Sequence, residues 1–193
     1  TRVLNTIDLE SDIIYVNDGS HDDTLSILRN LREQDPCIGI IDFSRNFGKE
    51  IALTAGLDHS TGEGVVIIDA DLQHPPELIS DFVRIWREEK VDVIYGLRST
   101  RKGESIPKKV TSYIFYRVIE KLGEVKIPRD SGDFRLLDRI AVNALKKLPE
   151  HHRFMKGLFA WIGFKQVALP YESDPRYAGD SKWNYWRLWN FAV

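Results

Sequence analysis

The chain has 193 residues, 42% of them hydrophobic and 29% charged, with a formal net charge of -2. That length supports one well-buried core in a single domain, 1–193, and the near-neutral balance excludes the strongly basic character usual in nucleic-acid binders. Cys37 is the single cysteine, which excludes an intramolecular disulfide and points to a reducing compartment.

Ile13–Val16 is a short apolar run that stops at the turn cluster Asn17-Asp18-Gly19-Ser20. Ser20 with Asp23 three residues later predicts a capping box for a helix through about Glu33, with Leu25, Leu28 and Leu31 as its apolar stripe. Ile38–Phe43 reads as a second strand and Gly48–His59 as a second helix. Cys37 precedes that strand without a nearby base, so a structural thiol is the better reading than a nucleophile. Gly62 and Gly64 turn the chain into strand Val65–Asp69. Pro75-Pro76 then open a helix whose face is Leu78, Ile79, Phe82, Val83 and Trp86. Val91–Tyr95 is the next strand. Lys108–Leu122 is amphipathic, Phe134–Leu137 extended, and Asp138 caps a helix through Leu148. Phe154–Ile162 is helical and Phe164–Tyr171 extended, with a loop over Asp174–Gly179. Strand–helix alternation with nearly continuous apolar strands predicts an α/β fold: a mostly parallel sheet with helices on both faces. Ligands of such sheets bind beyond the carboxyl ends of the strands, where Asp18, Asp69, Asp71 and Arg98 fall.

The densest chemistry is at 66–77, Val-Ile-Ile-Asp-Ala-Asp-Leu-Gln-His-Pro-Pro-Glu. Alternation along an extended segment sets Asp69, Asp71 and Gln73 on one side. An oxygen-only set of this kind suits Mg²⁺ or Mn²⁺ and predicts a metal-assisted reaction on a diphosphate-bearing substrate. A merely solvated strand end is the plainer alternative. Asp18 ends an earlier strand, either as a turn residue or as an acceptor for a base or ribose. Arg98 lies at a strand end, where a guanidinium can hold phosphate in a bidentate grip; Arg101 and Lys102 read as solvated loop charges.

Ser131-Gly132-Asp133-Phe134-Arg135 sets a carboxylate and a guanidinium around a strand start. They form either an internal salt bridge or a site with Asp133 near the reacting centre. Arg176-Tyr177-Ala178-Gly179-Asp180-Ser181-Lys182 is a basic, glycine-containing loop suited to closing over phosphates. The five histidines show no metal-ligand spacing. Neither a Gly-x-x-x-x-Gly-Lys-Ser/Thr phosphate loop nor a Gly-x-Ser-x-Gly nucleophile turn occurs, which counts against P-loop hydrolysis and serine hydrolysis.

Five stretches occur in order: Val16-Asn-Asp-Gly-Ser20, Arg45-Asn-Phe-Gly-Lys-Glu50, Asp69-Ala-Asp-Leu-Gln73, Ser131-Gly-Asp-Phe-Arg135 and Arg176–Lys182. Together they resemble family 2 glycosyltransferases of the polyprenyl-phosphate branch, which holds dolichyl-phosphate mannose synthases and bactoprenol glucosyltransferases. Phe154-Met-Lys-Gly-Leu-Phe-Ala-Trp-Ile-Gly-Phe164 resembles the bacterial members. The resemblance implies a Rossmann-like GT-A fold and inverting transfer of a hexose from a nucleotide-sugar donor to undecaprenyl or dolichyl phosphate, with Mg²⁺ or Mn²⁺ as cofactor. UDP-glucose is the favoured donor, with GDP-mannose the alternative.

By the same resemblance, Asp18, Asp69, Arg98, Arg176 and Lys182 bind the nucleotide-sugar, and Asp69, Asp71 and Gln73 hold the metal. Lys108, Ser112 and Arg135 meet the acceptor phosphate. Asp71 and Asp133 are the catalytic pair, Asp133 mainly for orientation. The first strand of the family and its Pro-x-Tyr-Asn-Glu-like turn have no counterpart here, so a strand upstream of Thr1 is expected. Trp183, Tyr185, Trp186, Trp189 and Phe191 crowd the last eleven residues. No apolar stretch reaches the roughly 18 residues of a spanning helix, so these aromatics read as a core-packing helix or as a juxtamembrane segment at the cytoplasmic face, ahead of membrane helices. Alternatives are a family 2 transferase with a soluble or polysaccharide acceptor, and a non-catalytic nucleotide-sugar-binding module. Homo-oligomerisation is left open.

Overall fold

The computed structural model describes residues 3–7, 9–99, 131–150 and 153–172. Its strands are β1 (Ile13–Asn17), β2 (Ile38–Asp42), β3 (Gly64–Ile67), β4 (Val93–Arg98), β5 (Ser131–Asp138) and β6 (Gln166–Tyr171). Its helices are α1 (Thr24–Gln34), α2 (Lys49–His59), α3 (Leu78–Glu89), α4 (Arg139–Lys146) and α5 (Met155–Trp161). Every expected element within these residues is present, with ends moved by one to three residues.

Two sheets carry these strands. β1 and β2 pair in parallel, and β3, β5, β4 and β6 form a second sheet in that order. β4 and β6 are parallel, whereas β5 lies antiparallel between β3 and β4. β5 is therefore the exception to the parallel pattern. No described helix leads from β4 into it, and strand–helix alternation says nothing about where such a strand inserts.

Period-two alternation divides the core. Val93 and Leu137 point to one face, where they meet Leu57 of α2, Val142 and Leu145 of α4, and Met155 and Phe159 of α5. Ile94, Phe134 and Leu136 point to the other, against Ile79, Phe82 and Ile85 of α3. Helices thus cover both faces, as the apolar strands require. Asp138 caps α4 by accepting from Ile140 N at 2.9 Å, and its other oxygen accepts from Trp86 Nε1 at 2.8 Å, tying α3 to the end of β5.

Two local expectations are corrected. Ser20 does not cap α1: the N-cap position falls to Asp23, whose side chain makes no capping bond, while Asp22 Oδ1, one residue earlier, accepts from Thr24 N at 3.1 Å. Nor is 69–73 an extended run. β3 ends at Ile67, the chain turns at Ala70–Asp71, and Leu72 is left-handed at φ 58°. Gln73 N donates to Asp71 Oδ1 at 3.1 Å, the Asx-turn bond of an aspartate that bends its own backbone. Strict alternation accordingly does not govern which way Asp69, Asp71 and Gln73 face.

Candidate active site

The first two motifs form one unit at the ends of β1 and β2. Asn17 is buried, and its Nδ2 donates to Asp42 Oδ1 at 2.8 Å, locking the last residues of the paired strands. Asp18 accepts from Phe47 N at 2.7 Å and Gly48 N at 3.0 Å, while Asn46 Nδ2 donates to Asp18 O at 3.2 Å. Gly19 has φ 64°, and a Cβ there would sit 2.5 Å from Asn46 N. Only glycine allows the two loops to approach so closely. Asp18 thus acts as a loop tie, with acceptor capacity remaining on its two oxygens.

That tie fixes the start of α2 and aims Lys49. The Lys49 ammonium lies 2.7 Å from Asp69 Oδ2 and 2.6 Å from Asp133 Oδ2. One lysine therefore clasps the carboxylate after β3 to the carboxylate on β5. Burial disfavours the Lys49 charge, but Asp133 and then Asp69 outweigh it and raise its pKa above the usual lysine value. Burial likewise pushes the Asp133 carboxyl up, yet Lys49, followed by Lys156, holds it below the usual carboxylate range. Asp133 is consequently an anion and a weak base. Its ion pair is with Lys49, not the internal pair with Arg135 that their spacing allowed.

Arg135 is 3% exposed. Its guanidinium stacks 3.7 Å over the Phe159 ring, and Nη2 donates to Gly132 O at 2.8 Å. Burial lowers its pKa to about 10. Glu50, next to Lys49, accepts from Met155 N at 3.0 Å and so anchors the start of α5 beside the clasp; burial raises the Glu50 pKa. Lys156 follows on α5, facing the same group of charges.

A second network closes the other side of the turn after β3. Arg98 Nε donates to Tyr171 Oη at 3.2 Å, and Tyr171 Oη lies 2.6 Å from His74 Nδ1. Tyr171 Oη thus bridges the Arg98 guanidinium and the His74 imidazole. His74 is 2% exposed and stacks on Phe134. Burial, with Arg98 adding, lowers its pKa, so this histidine is neutral. A Cβ on Gly96 would come within 2.8 Å of Tyr171 Cε1, which explains a glycine inside β4.

The structure therefore brings Asp69 and Asp133 together through Lys49 and surrounds them with Arg98, Arg135 and Lys156. Asp18 stands one loop away. Lys108, Ser112, Arg176 and Lys182 lie outside the described residues, as do the 108–122 helix, the 174–179 loop and the aromatic tail. Among the described residues no three His, Cys, Asp or Glu side chains gather as a metal cage. The donor set fits a different kind of cation site. Asp69 already holds an ammonium, and with Asp71 it offers the one or two carboxylates that Mg²⁺ or Mn²⁺ usually needs when substrate phosphates supply further ligands. Sequence reasoning overlooked Lys49, Glu50 and Lys156, although all three lie inside quoted motifs. Lys49 and Glu50 pair with residues between 20 and 105 positions away, which spacing cannot reveal.

The family model described as Glycosyl transferase family 2 matches residues 1–145. The chain belongs to glycosyl transferase family 2. Over 192 residues it is 52% identical to the uncharacterized glycosyltransferase sll0501 of Synechocystis sp., a match covering 100% of this chain and 60% of that protein. It is 42% identical over 184 residues to the prophage bactoprenol glucosyl transferase homolog of Escherichia coli K12, covering 95% of this chain and 60% of that one. The chain thus spans about 60% of the length of the curated relatives it matches. The fold is similar to that of the mannosyltransferase PcManGT from Pyrobaculum calidifontis in complex with GDP-Man and Mn²⁺, with a TM-score of 0.59 and 22% identity over 88% of this chain and 49% of that chain. The family 2 chain described here is a GT-A-like α/β domain, as its motifs led one to expect.

Proposed function

We propose that this family 2 domain transfers a hexose, with inversion, from a nucleotide-sugar to a polyprenyl phosphate at the cytoplasmic face of a membrane. The observation that carries the reading is the Lys49 clasp between Asp69 and Asp133, set among further cations: it gives one site for two anionic substrates. The bactoprenol glucosyl transferase relatives favour a polyprenyl phosphate acceptor and glucose as the sugar. UDP-glucose is the first donor to test, and GDP-mannose the second.

In this reading Asp69 and Asp71 would hold a divalent cation with the donor diphosphate, with Gln73 beside them. Such a cation neutralises the leaving group and eases C–O cleavage. The Mn²⁺ bound by PcManGT supports the proposal. Asp18 would accept a hydrogen bond from the base or ribose while keeping the loop at Gly48 in place. Arg98 would meet the diphosphate, with Arg176 and Lys182 closing over it.

An acceptor phosphate oxygen attacks the anomeric carbon as its bond to the diphosphate oxygen breaks. That oxygen is already anionic near neutral pH, so no strong base is needed. Asp133, held ionised by Lys49, is suited to orienting the acceptor or the sugar rather than to taking a proton. Lys108, Ser112 and Arg135 are assigned to the acceptor phosphate. The basic groups around an acidic centre then offset repulsion between the two substrates.

The test is transfer of labelled glucose from UDP-glucose to undecaprenyl phosphate by the full-length protein in bilayers, with GDP-mannose in parallel. Lipid-linked sugar that disappears in Asp71→Ala supports the reading; sugar release only to water or to a soluble alcohol overturns it. Among the described residues no helix is long and apolar enough to cross a membrane. Membrane attachment is therefore tested separately, by co-flotation with vesicles.

A further inference from the structure

We propose that Lys156 of α5, with Arg135 behind it, forms a phosphate-binding subsite beside Asp133. α5 is fixed firmly for so short a helix. Glu50 holds Met155 N, and Met155 and Phe159 are fully buried beneath the sheet. Lys156 and Phe159 are three residues apart and share a helix face. Phe159 carries the Arg135 guanidinium on its ring at 3.7 Å, so that face is turned toward Arg135.

The charges at this point do not close on themselves. Asp133 is the carboxylate nearest in effect to Lys156, but it already holds the Lys49 ammonium at 2.6 Å. Lys156 is half-buried and makes no hydrogen bond or ion pair among the described residues. Arg135 is 3% exposed, and its Nε is buried with no hydrogen-bond partner. The like charges of Lys49, Arg135 and Arg98 all act against the Lys156 charge. Buried donors without acceptors are rare in folded proteins, and an unbonded ammonium on the helix face that carries this guanidinium calls for an anion with several oxygens. A phosphate meets that need: it takes bonds from Lys156 and, through its charge, offsets the repulsion between Lys156 and the buried Arg135 behind it. A carboxylate of the protein would have supplied the missing charge permanently, and none among the described residues does so.

The subsite is thus assigned to a phosphoryl group. It rests on the transferase reading only for the source of that group, which is either the acceptor's phosphate monoester or the donor's diphosphate. Calorimetry on the full-length protein separates the two, using farnesyl phosphate as the monoester and UDP with Mn²⁺ as the diphosphate. Lys156→Met should weaken one of them by about tenfold or more, as loss of a charge-assisted bond does, while Lys156→Arg retains most of the affinity. A loss confined to farnesyl phosphate assigns the subsite to the acceptor, and a loss confined to UDP assigns it to the donor. Unchanged affinity for both ligands overturns the proposal.

Should Lys156→Met fail to fold, the wild type carries the test. Farnesyl phosphate or UDP should protect Lys156 from amine acylation, read by peptide mass mapping, and equal labelling with and without both ligands refutes the subsite. These are binding readouts. Absence of sugar transfer would sink the transferase reading and leave them standing, while unprotected Lys156 in an active transferase would sink the subsite alone.

Discussion

At the scale of single residues, Lys49 decides how the acidic centre is held together. Its side chain is 44% exposed while that of Asp133 is 11% exposed, so the pair lies between a surface bridge and a buried one. Lys49→Met should destabilise the domain by about 1–2 kcal/mol, measured by urea unfolding, since it strands the half-buried Asp133 charge. The same variant should lower transfer activity sharply, and Lys49→Arg should recover more stability than activity because a planar fork replaces a point charge. Asp69, Asp71 and Asp133 were legible as candidate carboxylates. What could not be read was the cation between them, because Lys49 belongs to a loop motif and its two partners lie 20 and 84 positions further along the chain. Arg135 shows another limit: its burial over the Phe159 ring is not visible in a short motif, because Phe159 lies 24 positions further along the chain.

At the scale of elements, the loops after β1 and β2 behave as one part. Gly19→Ala would place a methyl group 2.5 Å from Asn46 N at a positive φ, so the Asp18 bonds to Phe47 and Gly48 must break or shift. A loss of roughly 2–4 kcal/mol in unfolding free energy is expected. Lys49 should lose its aim along with it, so activity falls even at temperatures where the variant stays folded. Phe159→Ala removes both a core side chain and the platform under Arg135. It should cost about 3–5 kcal/mol, read by thermal or urea unfolding. The strands and helices themselves were legible, since apolar runs, Pro75-Pro76 and the Asp138 cap are local signals. The turn at 70–72 was not. Alternation is a good rule inside a strand, but an aspartate that bonds the backbone two residues on ends the strand's authority.

At the scale of the whole molecule, the α/β class followed from alternating elements, while the position of β5 did not. Antiparallel insertion of one strand between two parallel neighbours pairs 131–138 with 64–67 and 93–98, a long-range matter that local periodicity does not report. The buried His74 gives the fold a pH signature. Its pKa is lowered on folding, so the unfolded chain takes up a proton first as acid is added, and stability falls with pH below about 6.5. Unfolding midpoints of the metal-free protein should drop across that window, and His74→Gln should flatten that part of the profile. The Tyr171 hydroxyl, which bonds His74, is also where three segments of the chain meet: the turn that follows Asp71, the end of β4 through Arg98, and the end of β6. Such a junction is reciprocal by thermodynamic necessity. A ligand that moves the turn through His74 therefore pulls on the ends of β4 and β6 only by way of this hydroxyl's bonds, and Tyr171→Phe should remove that link while keeping the ring packed on Phe134.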